Sequence, residues 1–428
     1  MVKLLVFAHK PPPHHGQSYM VQLLIDSLGG DRRQSQKLAA PERLSLPKNQ
    51  TNHPIECFHV DCRVSDDTQD IGRIRLGKAC RILKYCVEAI WCRFRHGASC
   101  LYYVPAPGFR SAVYRDWIVM ALCRPFFRKI ILHWHAVGLG AWLETDANPF
   151  ERWVTRRLLS NSDLSIVLGS FYRADVAKLV PKRIEAVPNG IPDPCPGFEQ
   201  DVLPRRRARS AARQRLMAGQ SPSKTEMEHG GNDPQIFRVL FLSLCTREKG
   251  IFDALEAVAL GNKMLSDARS PIRLHLTIAG KFWHEREKTE FDERLAQTDL
   301  IDASARTAGQ SVVSFRGFVV GKEKDLLFRE SDCFCFPTFY PMEGHPVSLL
   351  EAMSYALPII TTRWRAIPEL FPPDYPGLIE PRSPDQAACA LQRFMTKDDD
   401  TALRQAFLDS FTQARFAQRL KTALEACL

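Results

Sequence analysis

Along this chain short apolar runs alternate with polar stretches and with segments whose apolar positions recur at helical spacing. Runs of strand length lie at 3–8, 101–104, 130–135, 164–168 and 184–187. A second series lies at 238–242, 273–279, 312–315, 333–336 and 358–361. Each series opens in the same way. The run 3–8 enters a loop containing Pro11, Pro12, Pro13, His14, His15 and Gly16, and a helical pattern over 19–28 follows. The run 238–242 enters a loop over 243–250, and a helical pattern over 251–260 follows. A further helix is predicted over 348–355. Strand, loop and helix in that order build parallel α/β sheets, so the pattern predicts two Rossmann-like doubly wound domains. A length of 428 residues agrees, because it exceeds what one core usually holds.

The join between the halves shows as a change of composition. Residues 204–235 carry Arg205, Arg206, Arg207, Arg209, Arg213 and Arg215, and then a Ser/Gly/Glu/Asn-rich stretch poor in large apolar residues. That composition predicts a flexible basic insertion, either a solvated loop or a grip on an anionic membrane. The expected organisation is a first domain over 1–203, the insertion, a second domain over 236–410, and a terminal helix over 411–428 crossing back to the first domain.

Composition then narrows the class. With 45% hydrophobic and 25% charged residues the chain is that of a globular protein. It lacks an apolar run long enough for a membrane helix, and its start lacks the features of a signal peptide, so a cytoplasmic location is expected. Thirteen cysteines, scattered without Cys-x-x-Cys pairs, give no zinc signature and suit a reducing compartment. Cys333 and Cys335 are expected as core thiols. The net charge of +10 points to anionic partners. With neither a zinc-finger or RNA-recognition motif nor a basic stripe interleaved with aromatics, no nucleic-acid partner is expected.

The densest candidate chemistry follows the run 333–336. There the chain reads Pro337, Thr338, Phe339, Tyr340, Pro341, Met342, Glu343, Gly344, His345, Pro346, Val347 and Ser348, and Glu351 lies in the helix beyond. Proline suits a first helical turn, glycine admits a ligand to the backbone, and helix-start N–H groups favour a diphosphate. Glu343 and Glu351 could then hold hydroxyls on either side of it.

This string resembles the retaining glycosyltransferases of family four, which have the GT-B fold of two Rossmann-like domains facing a central cleft. Their hallmark is a pair of glutamates separated by seven residues, here Glu343 and Glu351. The stretch from Ala352 to Thr362 is similar as well, with Ala356 where a glycine usually precedes Leu-Pro. A second match runs from Val239 to Gly250. Lys249 and Gly250 fit the family pattern, whereas Ser243 and Leu244 stand in place of its glycine and arginine.

The resemblance implies that Lys249 neutralises the donor diphosphate and that Glu343 orients the sugar. It implies that Glu351 holds the ribose and that the backbone over Gly344, His345, Pro346, Val347 and Ser348 binds phosphate. Arg247 is the candidate substitute for the missing arginine, or else a solvent-facing residue. Gly280, and Val319 in the loop after Phe315, match donor-binding pieces; the alternative for Phe318 and Val319 is strand-end packing. His133 and His135 share one side of a strand without the further ligands a zinc site needs. His135 matches a family histidine near the reacting sugar, and Gly16 matches part of a glycine pair in the first loop.

The implied activity is transfer of a sugar, with retention, from a UDP- or GDP-linked donor to a glycan or lipid-linked acceptor. Cell-surface or exopolysaccharide synthesis is the expected setting, with no metal and no cofactor. The first domain would serve the acceptor and the second the donor. The alternative is a sugar or nucleotide-sugar binding protein on the same fold without catalysis. An epimerase or an inverting transferase is disfavoured by Glu343, Glu351 and Lys249 together. The basic amphipathic segment 78–95 either lies on an anionic membrane, at the inner face, or packs on its own sheet with its cations snorkelling.

Overall fold

The computed structural model describes residues 2–12, 16–35, 55–63, 76–231, 233–296, 312–396 and 401–427. The chain divides into two compact units, Met1–Pro192 with Ser410–Leu428, and Asp193–Asp409.

The first unit is built on six parallel strands: β1 Val2–Phe7, β2 Ile55–Val60, β3 Cys100–Tyr103, β4 Lys129–Trp134, β5 Leu164–Val167 and β6 Ile184–Ala186. Their order is β2-β1-β3-β4-β5-β6. Leu4 of β1 sits opposite both Cys57 and Cys100, and Leu4, Leu5, Val6 and Phe7 are all buried. An unbroken apolar run is what a parallel strand covered on both faces requires. Helix α1, Gly16–Ser27, follows β1. Helices α2, Leu76–His96, α3, Arg110–Cys123, and α4, Pro149–Leu159, precede β3, β4 and β5. These three crossovers step the same way across the sheet, so their right-handedness lays α2, α3 and α4 on one face. Helix α4 starts where its sequence demands: Asn148 accepts from the Glu151 N–H at 2.9 Å, Glu151 accepts from the Asn148 N–H at 2.8 Å, and Pro149 fills the first turn.

The second unit repeats the plan with β7 Ile236–Leu242, β8 Arg273–Ala279, β9 Val313–Phe315, β10 Cys333–Phe336, β11 Ile359–Thr362 and β12 Leu378–Ile379. Their order, β12-β11-β10-β7-β8-β9, reverses between β10 and β7. Helices α5 Leu203–Met217, α6 Lys224–Gly230, α7 Ile251–Asp267, α8 Glu285–Ala296, α9 Gly321–Glu330, α10 Val347–Ser354 and α11 Pro384–Thr396 pack with this sheet's unit. Cys333 and Cys335 are buried in β10. Helix α12, Gln413–Glu425, belongs to the first unit, where Thr412 pairs with Ile191 and the Arg183 guanidinium donates to the Ala426 carbonyl at 2.6 Å.

Two expectations are corrected. The units divide at Pro192, not at 203, because residues 193–203 are anchored in the second unit. Arg404 binds Asp193 at 2.9 Å and the Cys195 carbonyl at 3.1 Å, and its guanidinium lies 4.9 Å from the Phe198 ring centroid. The span 204–235 is no irregular loop: it holds most of α5 and all of α6. Arg206, Arg209 and Arg213 recur at helical spacing and all three are buried. Arg206 donates to the carbonyls of Tyr355 and Ala356 at 2.6 and 3.0 Å. Arg209 and Arg213 bind the two carboxylate oxygens of Asp332 at 3.0 and 2.9 Å. These three arginines hold the unit together and are not available to a membrane.

Ala356, where the resemblance expects glycine, ends α10 in the left-handed conformation, φ 49°. Its N–H donates to the Met353 carbonyl at 2.9 Å, and the Leu357 N–H donates to Ala352 at 3.1 Å. The Cβ is disfavoured there by its conformation and not by its size. Ala356→Gly is therefore expected to raise unfolding stability by about 1 kcal/mol. A thermal melt checks this, and an unchanged or lower midpoint would count against strain at this residue.

Candidate active site

The site grows from the two strands that flank the reversal in the second sheet. After β7 the chain returns through Thr246 into a single tight turn, Arg247–Lys249, and then Gly250 at φ 83°. A Cβ on Gly250 would lie 2.3 Å from the Pro337 carbonyl, so glycine is required by conformation and by space. After β10 the chain hydrogen-bonds onto that turn, with the Phe339 N–H donating to the Glu248 carbonyl at 2.7 Å. The two strand-end loops are thus zipped together.

That zipper brings Lys249 to Glu343. The ammonium donates to both carboxylate oxygens at 3.0 and 2.8 Å, and the Thr338 hydroxyl donates to Oε2 at 2.8 Å. Lys249 Nζ also stands 4.6 Å from the Tyr340 ring centroid. Burial, helped by Glu343 and Glu248, pushes the Tyr340 phenol above its ordinary range. Glu343 is buried, and Lys249 keeps only 16% of its side chain exposed. A cation this desolvated acts more strongly on a neighbouring anion than one in water.

Gly344, His345 and Pro346 are buried and lead into α10, whose N-cap residue is Pro346 and which has no side-chain cap. Val347 and Ser348 in its first turn are half-buried, where N–H groups lack intrahelical acceptors. Burial lowers the His345 imidazole to about 4 against the opposing pull of Glu369, so the ring is neutral at neutral pH. Glu351, buried in the second turn of α10, receives Lys324 Nζ from α9 at 2.5 Å. Sequence reasoning missed Lys324, which sits in no motif and is brought in by α9 alone.

Gly280 ends β8, where a Cβ would fall 1.8 Å from the Ser243 carbonyl. It also receives the loop holding Val319, since its N–H donates to the Gly317 carbonyl at 2.8 Å. Val319 is buried while Phe318 is exposed. Arg247 is not gathered with Lys249. Its guanidinium binds Glu290 of α8 at 2.6 Å and stacks 4.7 Å from the Phe252 centroid, and its N–H donates to Glu287 at 2.7 Å. Arg247 is exposed, half of its side chain open to solvent, and its charge is engaged by Glu290.

In the first unit Gly16 opens α1 and is exposed; His14 and His15 lie outside the described residues. His135 follows β4, with its ring centroid 4.1 Å from that of His133. His133 is buried, and the Tyr102 hydroxyl lies 2.5 Å from its Nδ1. Burial, aided by His135, holds the His133 imidazole well below its usual range, so it is neutral. The acidic run Asp398, Asp399 and Asp400 lies outside the described residues.

Two parallel-sheet Rossmann-like units of this kind define the GT-B glycosyltransferase fold, and solved structures agree. Over 100% of both chains the protein superposes on Anabaena Alr3699/HepE in complex with UDP and glucose, with a TM-score of 0.58 at 15% identity. It superposes on sucrose-phosphate synthase from Thermosynechococcus elongatus with a TM-score of 0.63 at 14% identity, covering 100% of this chain and 99% of the other.

Residues 223–407 match the family described as glycosyl transferases group 1. The chain is 28% identical over 167 residues to the "Putative colanic acid biosynthesis glycosyltransferase WcaL" of Escherichia coli (strain K12), covering 38% of this chain and 37% of the relative. It is 27% identical over 177 residues to the amylovoran biosynthesis glycosyltransferase AmsK of Erwinia amylovora, covering 40% and 39%. The match therefore spans well under half the length of these curated relatives. The matched domain and the named relatives support a transferase.

Proposed function

We propose that this protein is a retaining glycosyltransferase of the family-four type, moving a sugar from a UDP- or GDP-linked donor to a glycan or lipid-linked acceptor. One observation carries the reading. Lys249 and Glu343 meet at the carboxyl ends of β7 and β10, the two strands between which the sheet order reverses. Ligands of open α/β sheets bind at such a switch point. The HepE complex with UDP-glucose supports a nucleotide sugar as the ligand. The names of WcaL and AmsK support polysaccharide synthesis as the setting.

In this reading, negative charge grows on the leaving diphosphate. Lys249 and the first N–H groups of α10, from Val347 and Ser348, stabilise it from fixed positions. Glu343 turns from Lys249 toward the sugar hydroxyls as phosphate takes up the ammonium, and Glu351 holds the ribose. Gly344, His345 and Pro346 shape the backbone around the phosphates, while Gly280 and Val319 lie toward the base. Gly16 and His135 are assigned to the donor from the resemblance alone, and the acceptor to the first unit on the same ground. Among the described residues no helix is long and apolar enough to cross a membrane. A cytoplasmic enzyme working at the inner membrane face is part of the proposal.

A non-catalytic nucleotide-sugar binder is favoured by one observation: Leu244 stands where the family has its phosphate arginine, and Arg247, the candidate substitute, is engaged by Glu290. Both readings predict that a matching nucleotide sugar stabilises the chain, by about 2.7 kcal/mol at a hundredfold excess over Kd. A melting panel of UDP- and GDP-sugars checks this. Absence of any shift would sink both readings, and release of nucleoside diphosphate separates them.

A further inference from the structure

We propose that the outer surface of α2, continued onto α3 and α4, docks the protein on an anionic lipid bilayer. Helix α2 is apolar on two sides where its own core needs one. Ile82, Cys86, Ala89 and Cys92 face inward and are buried. Leu83, Val87, Trp91 and Phe94, spaced four, four and three apart, form a second stripe that faces outward. Val87 is 66% exposed, Trp91 54% and Phe94 68%. The sheet does not need this stripe, and a lone stripe of large apolar side chains in water marks an interaction surface.

The surface continues across the layer of helices. The Phe94 ring packs edge-on against Phe126, just beyond α3, at 6.0 Å between centroids. The Arg93 Nε–H holds the Phe126 carbonyl at 2.9 Å. Farther along, Trp117 of α3 meets Phe150 of α4 at 6.2 Å, and Phe150 meets Trp153 at 6.4 Å; Trp153 is 64% exposed. Because α2, α3 and α4 lie on one face of the sheet, these aromatics belong to one side of the unit.

Charge decides the occupant. Helix α2 carries Lys78, Arg81, Lys84, Arg93 and Arg95 against the single acid Glu88, which Arg33 already binds at 2.7 Å. Lys84 and Arg95 are exposed beside the apolar stripe. Tryptophan and phenylalanine flanked by basic residues suit the boundary between anionic headgroups and acyl chains. A second copy of this chain fits worse, because a two-fold contact would set these like charges against each other. The inference does not rest on sugar transfer, since vesicle binding is read without a donor.

The test is flotation of the full chain with vesicles of phosphatidylcholine alone and of phosphatidylcholine with phosphatidylglycerol. The expected result is binding to the anionic vesicles only, weakening as salt rises. Trp91→Ala with Phe94→Ala is expected to reduce binding at least about tenfold, with only a small drop in melting midpoint because both side chains are more than half exposed. Lys84→Glu with Arg95→Glu is expected to abolish the preference for anionic lipid. Failure to bind anionic vesicles at low salt would overturn the proposal, as would equal binding by the Trp91/Phe94 variant. A dimer that this variant dissociates, with no vesicle binding, would assign the surface to self-association and overturn it too. Stabilisation by a nucleotide sugar should persist in the Trp91/Phe94 variant, so loss of docking and loss of the transferase reading remain distinguishable.

Discussion

Alanine at Lys249 is expected to lower turnover by roughly 10²–10³-fold, the usual consequence of removing one fixed donor from a developing oxyanion. The ammonium is the cation found with the buried carboxylate of Glu343, and Arg247, its nearest candidate understudy in sequence, is held by Glu290. Nothing in the turn Arg247–Lys249 could replace it without breaking that ion pair. The measurement is the initial rate of nucleoside-diphosphate release at saturating donor, alongside a melting curve, because Glu343 would be left with Thr338 as partner. A drop in rate at an unchanged melting midpoint assigns Lys249 to the transition state. An unchanged rate removes it from the mechanism.

Asp332→Asn is expected to cost about 3–5 kcal/mol of unfolding stability, the penalty for breaking a buried ion pair from one side. Asp332 follows α9 and is buried. Its carboxylate accepts from Arg209, from Arg213 and from the Arg238 N–H at 2.9 Å. Asparagine keeps the shape and removes the charge, stranding two buried guanidinium groups. Burial alone would raise the Asp332 pKa, but Arg213 and Arg209 overcome it and hold it at about 2. The folded value lies below that of an unfolded aspartate, about 3.9, so the native chain gains stability above pH 4 and loses it as pH falls toward 2. The variant should lack that acid-dependent part. Urea titrations of both proteins across this window check the sign, and equal stability at pH 7 would show that the arginines need no carboxylate.

Most of the fold was legible because parallel strands covered on both faces leave continuous apolar runs, as in β1 and β10. Strand β2 was not, since Glu56 and His59 interrupt it. The structure accommodates His59 by placing a ring nitrogen 2.8 Å from the Ala8 carbonyl. Strand β12 is two residues long, too short to show any period. The arginines of α5 misled for a different reason. Charge read as solvent exposure, although Arg206, Arg209 and Arg213 already repeat at helical spacing, and their acceptors are an aspartate and backbone carbonyls more than a hundred residues away. At the site, Glu343, Lys249 and Gly250 stood out because the strings around them resemble the family's motifs. The Lys324 contact with Glu351 and the capture of Arg247 by Glu290 depend on neighbouring helices, and no local pattern announces them.

The return of the chain to the first unit makes the second unit a guest within its host. The host is interrupted after Pro192 and resumes at Ser410. The two severed ends lie side by side, for the Ile191 N–H donates to the Phe411 carbonyl at 2.9 Å and the Gln413 N–H donates to the Ile191 carbonyl at 2.7 Å. Residues 193–409 can therefore be lifted out as one continuous segment and the cut closed with a very short graft. Shortening the chain from its carboxyl end, by contrast, removes α12 and wounds the first unit before it touches the second. The two halves of this protein are thus separable by excision, and not by truncation.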